Sequence, residues 1–228
     1  MNDQRAGRLG IGVIGAGHVG PVLASALAGA GHALVGVSAV SEASRERAEA
    51  MLPGVPILEI PTIVERSELV LIAIPDAELE ALVAGLAATG TWRPGQIVVH
   101  TAPGLGIGVL EPVQRAGSIP LAIHPAMSFT GTSLDLARLA ETFFAVTGPA
   151  PVLPIGQALV VEMGGEPVVI AEDDREAYGE AIETARVFSR SIVEQASGIL
   201  NGIGVEQPGA YLSSLVRSAV DDALSAER

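Results

Sequence analysis

The chain has 228 residues, 49% of them hydrophobic, and a formal net charge of −13. That length accommodates one large domain or a domain with an appendage, and the apolar fraction excludes global disorder. Neither cysteine nor lysine occurs, which excludes disulfides, thiolate catalysis, Cys-ligated zinc, Schiff-base chemistry and a P-loop lysine.

All thirteen basic residues are arginines, scattered without a basic face, so no nucleic-acid partner is expected. Met1–Arg8 is short and polar, with no signal peptide visible. Gly, Pro or charges interrupt every apolar run, so no membrane span is expected and a cytoplasmic location is the default.

Leu9–Ile14 is an apolar run that ends in a glycine-rich turn. Val19, Val22, Leu23, Ala26, Leu27 and Ala30 then recur at helical spacing, with Pro21 in the first turn and Gly31-His32 at the end. Ala33–Val37 is the next strand and Ser41–Met51 the next helix. Pro53-Gly54 breaks that helix, and Val55–Leu58 reads as a weak strand. Leu69–Ile74 is uniformly apolar, as expected of a parallel strand covered on both faces. A helix capped by Asp76 follows, then a strand at Ile97–His100, a poorer helix over Val109–Ala116 and a strand at Pro120–Ile123. Phe143–Val146 and Pro167–Ile170 read as two more strands around the helical Ile155–Met163.

This alternation predicts an α/β fold: a doubly wound, mostly parallel Rossmann sheet of about eight strands over residues 1–171. A small all-helical part over residues 172–228 completes it. Its first helix is predicted to start from an Asp173 cap, with Glu176 closing a capping box. Gly202–Pro208 reads as a linker before a last helical stripe. Two helices bury little alone, so they should pack on the sheet or on the same helices of a second chain, giving a homodimer.

Gly15-Ala16-Gly17-His18-Val19-Gly20 fits G-x-G-x-x-G between a strand and a helix, the context that gives this motif its specificity. Gly15 permits the turn, Gly17 leaves room for a pyrophosphate, and Gly20 lets the helix pack close. The bland alternative is a glycine-rich turn with no ligand. NAD sites usually carry Asp or Glu near the end of the second strand. Here that stretch is Gly36-Val37-Ser38-Ala39-Val40-Ser41, without a carboxylate until Glu42. Ser38, Ser41, Ser44 and Arg45 suit a 2′-phosphate, so NADP is expected, with NAD as the other possibility. Arg47 is read as part of a solvated helix face.

Three segments together resemble one group: the glycine turn, Ile72-Ala73-Ile74-Pro75-Asp76, and His124-Pro125-Ala126-Met127-Ser128-Phe129-Thr130-Gly131. They look like the 6-phosphogluconate dehydrogenase-like oxidoreductases, in the branch of pyrroline-5-carboxylate reductase and ketopantoate reductase. They look most like bacterial Rossmann-like members with a helical C-terminal domain of unknown function. The resemblance implies a cofactor site along Ile74 and Pro75, Thr101–Gly104 near the nicotinamide, and dimerisation through the C-terminal helices. It also implies a longer chain, so a short or truncated member is expected here. Family members often use a C-terminal lysine as the acid, a role this chain cannot fill.

The acid must then be sought among four histidines. His18 sits in the glycine turn and His32 at a helix end. His100 and His124 end strands on the ligand side, and Pro125 biases His124 to extended backbone. His124, with a pKa near neutrality, is the candidate acid, and Ser128 a candidate to orient the substrate. Structural roles are the alternative for both. Arg186, Arg190, Ser189 and Ser191 offer a carboxylate clamp on the C-terminal helix, or simply a solvated face. No metal-ligand spacing is present.

The expected activity is NADP-dependent hydride transfer to a C=O or C=N of a small metabolite such as a keto acid. The alternative is a non-enzymatic NAD(P)-binding sensor or scaffold.

Overall fold

The computed structural model describes residues 8–226. Strands and helices follow in the order β1 (Gly10–Ile14), α1 (Gly20–Gly29), β2 (Ala33–Ser38), α2 (Glu42–Met51), α3 (Ile60–Arg66), β3 (Leu69–Ile72), α4 (Asp76–Ala88) and β4 (Ile97–His100). The rest are α5 (Glu111–Arg115), β5 (Ile119–Pro125), α6 (Leu134–Leu139), β6 (Phe143–Thr147), α7 (Leu153–Glu162), β7 (Glu166–Val169), α8 (Arg175–Gly202) and α9 (Pro208–Ala226). Short 3-10 turns at Ile107–Leu110 and Glu172–Asp174 precede α5 and α8.

The sheet has seven strands in the order β2-β1-β3-β4-β5-β6-β7. Every neighbouring pair is parallel except β5 with β6. The chain leaves β1 on one side for β2 and returns on the other for β3. That reversal is a topological switch point, and in open α/β sheets ligands bind there, outside the carboxyl ends of the strands.

Seven strands replace the eight expected. The difference is Val55–Leu58, where only Ile57 bridges to Val37. Pro56 has no N–H to donate, so its carbonyl takes one bond from Val37 and the ladder ends there. Helix α3, absent from the periodicity reading, follows: Pro61 occupies its first turn and Ile63 and Val64 are buried. Two caps also differ from expectation. Helix α4 begins at Asp76 itself, after Pro75, with no side-chain cap. Asp173 lies within the 3-10 turn, and α8 starts at Arg175.

Successive residues of a strand face opposite sides, and β3 shows it. Leu69 and Leu71 join Val13, Leu23, Leu27, Val99, Ile123 and Leu159 on one face. Val70 and Ile72 join Ile63, Leu79, Val83, Trp92 and Val98 on the other. Both layers are buried, which is why β3 reads as an unbroken apolar run.

The chain divides into two compact units between Gly179 and Glu180. The second holds the rest of α8 and all of α9. Many of its large apolar side chains are exposed, among them Phe188, Ile192, Ile199, Tyr211, Leu215 and Leu224.

Candidate functional site

The turn after β1 is tied down before any ligand is considered. Gly15 has φ +102°, a left-handed conformation natural only to glycine, and its N–H donates to Ser38 Oγ at 3.0 Å. A side chain on Gly20 would overlap the Gly15 carbonyl, so that glycine is demanded by helix–strand packing. Gly17 differs, since a Cβ there would meet nothing within 4 Å. Its lack of a side chain serves open space, the cradle that an approaching phosphate needs. Helix α1 begins behind it with no side-chain cap at Val19, which leaves first-turn N–H groups available to an anion.

That space opens into a cleft of about 340 Å³ at the carboxyl ends of the strands. Its walls come from the glycine turn (Gly17, Val19), the end of β3 and start of α4 (Ala73–Asp76), the loop after β4 (Thr101, Pro103), and the end of β5 with its loop (His124, Pro125, Met127, Phe129). The lining is largely apolar, with Thr101, His124 and Asp76 as its polar side chains.

His124 is held from behind. Its Nδ1 lies 2.8 Å from the Tyr178 hydroxyl, with the rings edge to face at 5.7 Å. Burial, then the Arg175 charge, then His100, lower the His124 pKa to about 4. The near-neutral imidazolium expected from sequence is therefore absent, and the ring is neutral at pH 7. Burial raises the Tyr178 pKa, so the phenol keeps its proton. Which of the two donates depends on the histidine tautomer; when the phenol donates to Nδ1, the imidazole proton lies on Nε2. Among the described residues Nε2 has no hydrogen-bond partner.

Tyr178 is delivered by the first turn of α8, which two charged groups pin to the sheet. Arg175, 1% exposed, donates to Thr147 Oγ1 (2.7 Å), Ala122 O (2.8 Å), Ala145 O (3.0 Å) and Pro103 O (3.3 Å). Its guanidinium sits 5.6 Å from the Tyr178 ring. Glu172 accepts from the N–H groups of Ile107 and Gly108, both at 2.8 Å. Gly179 packs so closely on Gly104 that a Cβ would overlap it. Sequence reading gave neither Tyr178 nor Arg175 a role in the site. Arg175 stands in the run Glu172-Asp173-Asp174-Arg175-Glu176, a charge pattern that reads as solvated surface and not as a buried anchor.

The other candidates separate. Gly17, Val19, Ile74, Pro75, Thr101 and His124 meet in the cleft. Ala16 uses its carbonyl to accept from Arg47 at 2.9 Å, and His18 Nε2 lies 3.4 Å from the same guanidinium. Arg47 is thus a part of the turn and not of a solvated face. Ser38 is spent on Gly15, while Ser41 caps α2 by accepting from Ser44 N–H. Arg45 is exposed. Ser128 is also exposed and outside the cleft lining, because its neighbours Met127 and Phe129 turn inward. His100 is wholly buried, with Nδ1 accepting from Ala102 N–H and Nε2 bonded to Gly106 O, and so acts structurally. His32 is a tether: its Nδ1 accepts from Leu9 N–H and its Nε2 lies 2.9 Å from Glu162. Arg186 pairs with Glu183 on the surface of α8. Among the described residues no group of three or more His, Asp or Glu is disposed to hold a metal ion. No described helix is long and apolar enough to cross a membrane.

Several solved structures share the fold. An imine reductase from Pseudomonas sp. superposes with TM-score 0.71 at 18% identity, covering 96% of this chain and 76% of that one. A 1-pyrroline-5-carboxylate reductase from Streptococcus pyogenes gives 0.69 at 19%, over 96% and 80%. An imine reductase from Myxococcus stipitatus, in complex with NADP+, gives 0.67 at 20%, over 95% and 76%. No curated protein matches the sequence. The model of a Rossmann-like domain matches residues 1–125, and that of a domain of unknown function, DUF2520, matches residues 142–228. The chain thus belongs to the Rossmann-like domain family, here joined to a DUF2520 segment.

Proposed function

We propose that the chain is an NADP-dependent reductase, adding hydride to the C=O or C=N carbon of a small metabolite such as a keto acid. One observation carries this reading. A phosphate-ready glycine turn and a neutral His124–Tyr178 pair face each other across one cleft at the switch point of the sheet. The neighbours of the same fold, reductases of imines and of pyrroline carboxylate by name, support it.

The bound dinucleotide would supply the hydride. The chain's own residues would do the rest. Gly15–Gly20 would seat the pyrophosphate, with Ala16, His18 and Val19 around it. Ser38 and Ser41 would border the adenosine ribose, and Ile74, Pro75 and Thr101 would flank the nicotinamide end. His124 Nε2–H would donate to the acceptor oxygen or nitrogen, polarise the double bond and pass it the proton, while the Tyr178 hydroxyl proton moves to Nδ1 and keeps the imidazole neutral, the resulting phenolate facing the Arg175 guanidinium. Tyr178 would fix the tautomer. The apolar walls exclude water.

The exposed apolar residues of α8 and α9 support assembly of two chains through these helices.

Titration of the purified chain with NADPH, followed by fluorescence and calorimetry, tests the reading first. Next comes NADPH oxidation over a panel of keto acids and imines. His124→Gln and Tyr178→Phe should keep NADPH affinity and lose turnover. Absence of dinucleotide binding overturns the proposal. Binding without turnover on any acceptor favours the sensor instead. Light scattering that gives the mass of one chain removes the dimer.

A further inference from the structure

The part of the site that sequence reading assigned to solvent is the most tightly built. Arg47 lies in the second turn of α2 and reaches back to the glycine turn, where its NH1 donates to Ala16 O at 2.9 Å. Its NH2 lies 3.4 Å from His18 Nε2. The loop after β5 closes on both side chains. A Cβ on Gly131 would stand 2.7 Å from the His18 ring and 3.0 Å from Arg47 Cδ and Nε. That loop is rigid for its own reason: the fully buried Asp135 accepts from Thr130 N–H and Gly131 N–H at 2.8 Å, and from Arg138 at 3.1 Å.

A guanidinium has five N–H donors, and two contacts do not exhaust them. Among the described residues no carboxylate pairs with Arg47, although the chain carries 26 acidic residues. An arginine held at a dinucleotide-type turn, half-buried and with no acidic partner among the described residues, fits a phosphate.

Position decides which phosphate. The pyrophosphate seat is the N-terminus of α1, above Gly17. Arg47 instead binds the carbonyl of Ala16 and comes from the helix after β2, the strand whose end borders the adenosine ribose hydroxyls. Ser41 and Ser44 begin that same helix. Arg45, the arginine favoured by sequence spacing, is exposed.

We infer that Arg47, with His18 beside it, recognises a phosphate on the 2′-oxygen of the adenosine ribose and thereby sets a preference for NADP over NAD. The inference rests on the dinucleotide reading above.

The test uses the full chain, wild type and with Arg47→Gln, Arg47→Lys or Arg45→Gln, titrated with NADPH, NADH, 2′,5′-ADP and 5′-ADP. Gln retains a donor for Ala16 O, and thermal melts confirm folding. Wild type should prefer NADPH to NADH. Arg47→Gln should weaken NADPH and 2′,5′-ADP by about 10- to 100-fold, with NADH and 5′-ADP changed by less than about twofold. Arg47→Lys should retain part of the preference, and Arg45→Gln should leave it intact. Equal loss for both dinucleotides would make Arg47 a pyrophosphate or structural residue and overturn the inference. So would an unchanged NADPH affinity, or a wild-type preference for NADH. If the wild type binds neither dinucleotide, the dinucleotide reading itself falls.

Discussion

His100 and His124 should make the protein acid-sensitive in a defined window. His100 is sealed in the sheet at the end of β4, where Ala102 N–H and Gly106 O occupy both ring nitrogens of the neutral form. Burial lowers its pKa from 6.5 to about 4, with the Gly106 bond opposing and Arg175 assisting. His124 is lowered to about 4 as well. The unfolded chain thus binds more protons than the folded one between about pH 4 and pH 6.5, so stability rises with pH there. The contribution is complete above 6.5 and lost as pH falls toward 4. It amounts to about 3 kcal/mol for each histidine, a large share of a typical domain's 5–15 kcal/mol. Replacing His100 by Gln keeps an amide donor for Gly106 and removes the titration. Urea unfolding at steps between pH 4 and pH 7 should show a slope shallower by about 1.4 kcal/mol per pH unit in His100→Gln than in wild type. Asp135, whose pKa is lowered below 3.8 by the bonds from Gly131, Thr130 and Arg138 that outweigh its burial, titrates below this window in both proteins. Identical slopes for variant and wild type would refute the reasoning.

Two further outcomes separate folding from ligand chemistry. Arg175→Met removes the buried donors to the Thr147 hydroxyl and three carbonyls, and should destabilise by about 2–4 kcal/mol in urea unfolding. In the same variant the His124 pKa, followed by imidazole NMR, should rise, because one of the charges that lowers it is gone. The two glycines of the turn should behave oppositely. Gly20→Ala forces a Cβ onto the Gly15 carbonyl and should cost about 1–3 kcal/mol of stability. Gly17→Ala meets open space, so thermal stability should hold or rise slightly while NADPH titration shows affinity lost.

The sheet was legible because its strands are covered on both faces. Leu69–Ile72 and Ile97–His100 are short apolar runs, bounded by turn residues, that admit little else. Val55–Leu58 misled because local β propensity carries no information about pairing, and Pro56 allows only a bridge. Helix α3 was hidden by its length: seven residues give fewer than two periods of an apolar stripe, and only Ile63 and Val64 are buried in it.

Legibility of the site divides along a different line. The glycine turn, Ile74, Pro75, Thr101 and His124 are read from sequence because each sits at a fixed offset from a strand end, and strand ends converge at the switch point. What sequence missed is what reaches the site from a distance. Tyr178 is 54 positions from the histidine it touches, and Arg47 is 31 from the carbonyl it binds. Both lie on helices where spacing alone assigns them to other faces. Arg47 even alternates with glutamates, the signature of a solvated surface. A helical arginine can leave that surface because its long side chain leans back along the helix toward its N-terminus, and so reaches whatever lies beyond the first turn. In α2 that is the glycine turn. The same geometry carries the buried Arg175 from the start of α8 onto Ala122, Ala145 and Pro103, and sets Tyr178 one turn later behind His124. A chain without lysine has thus put two arginines on the carbonyls that shape its cleft, one beside the His124–Tyr178 pair and one left with donors to spare.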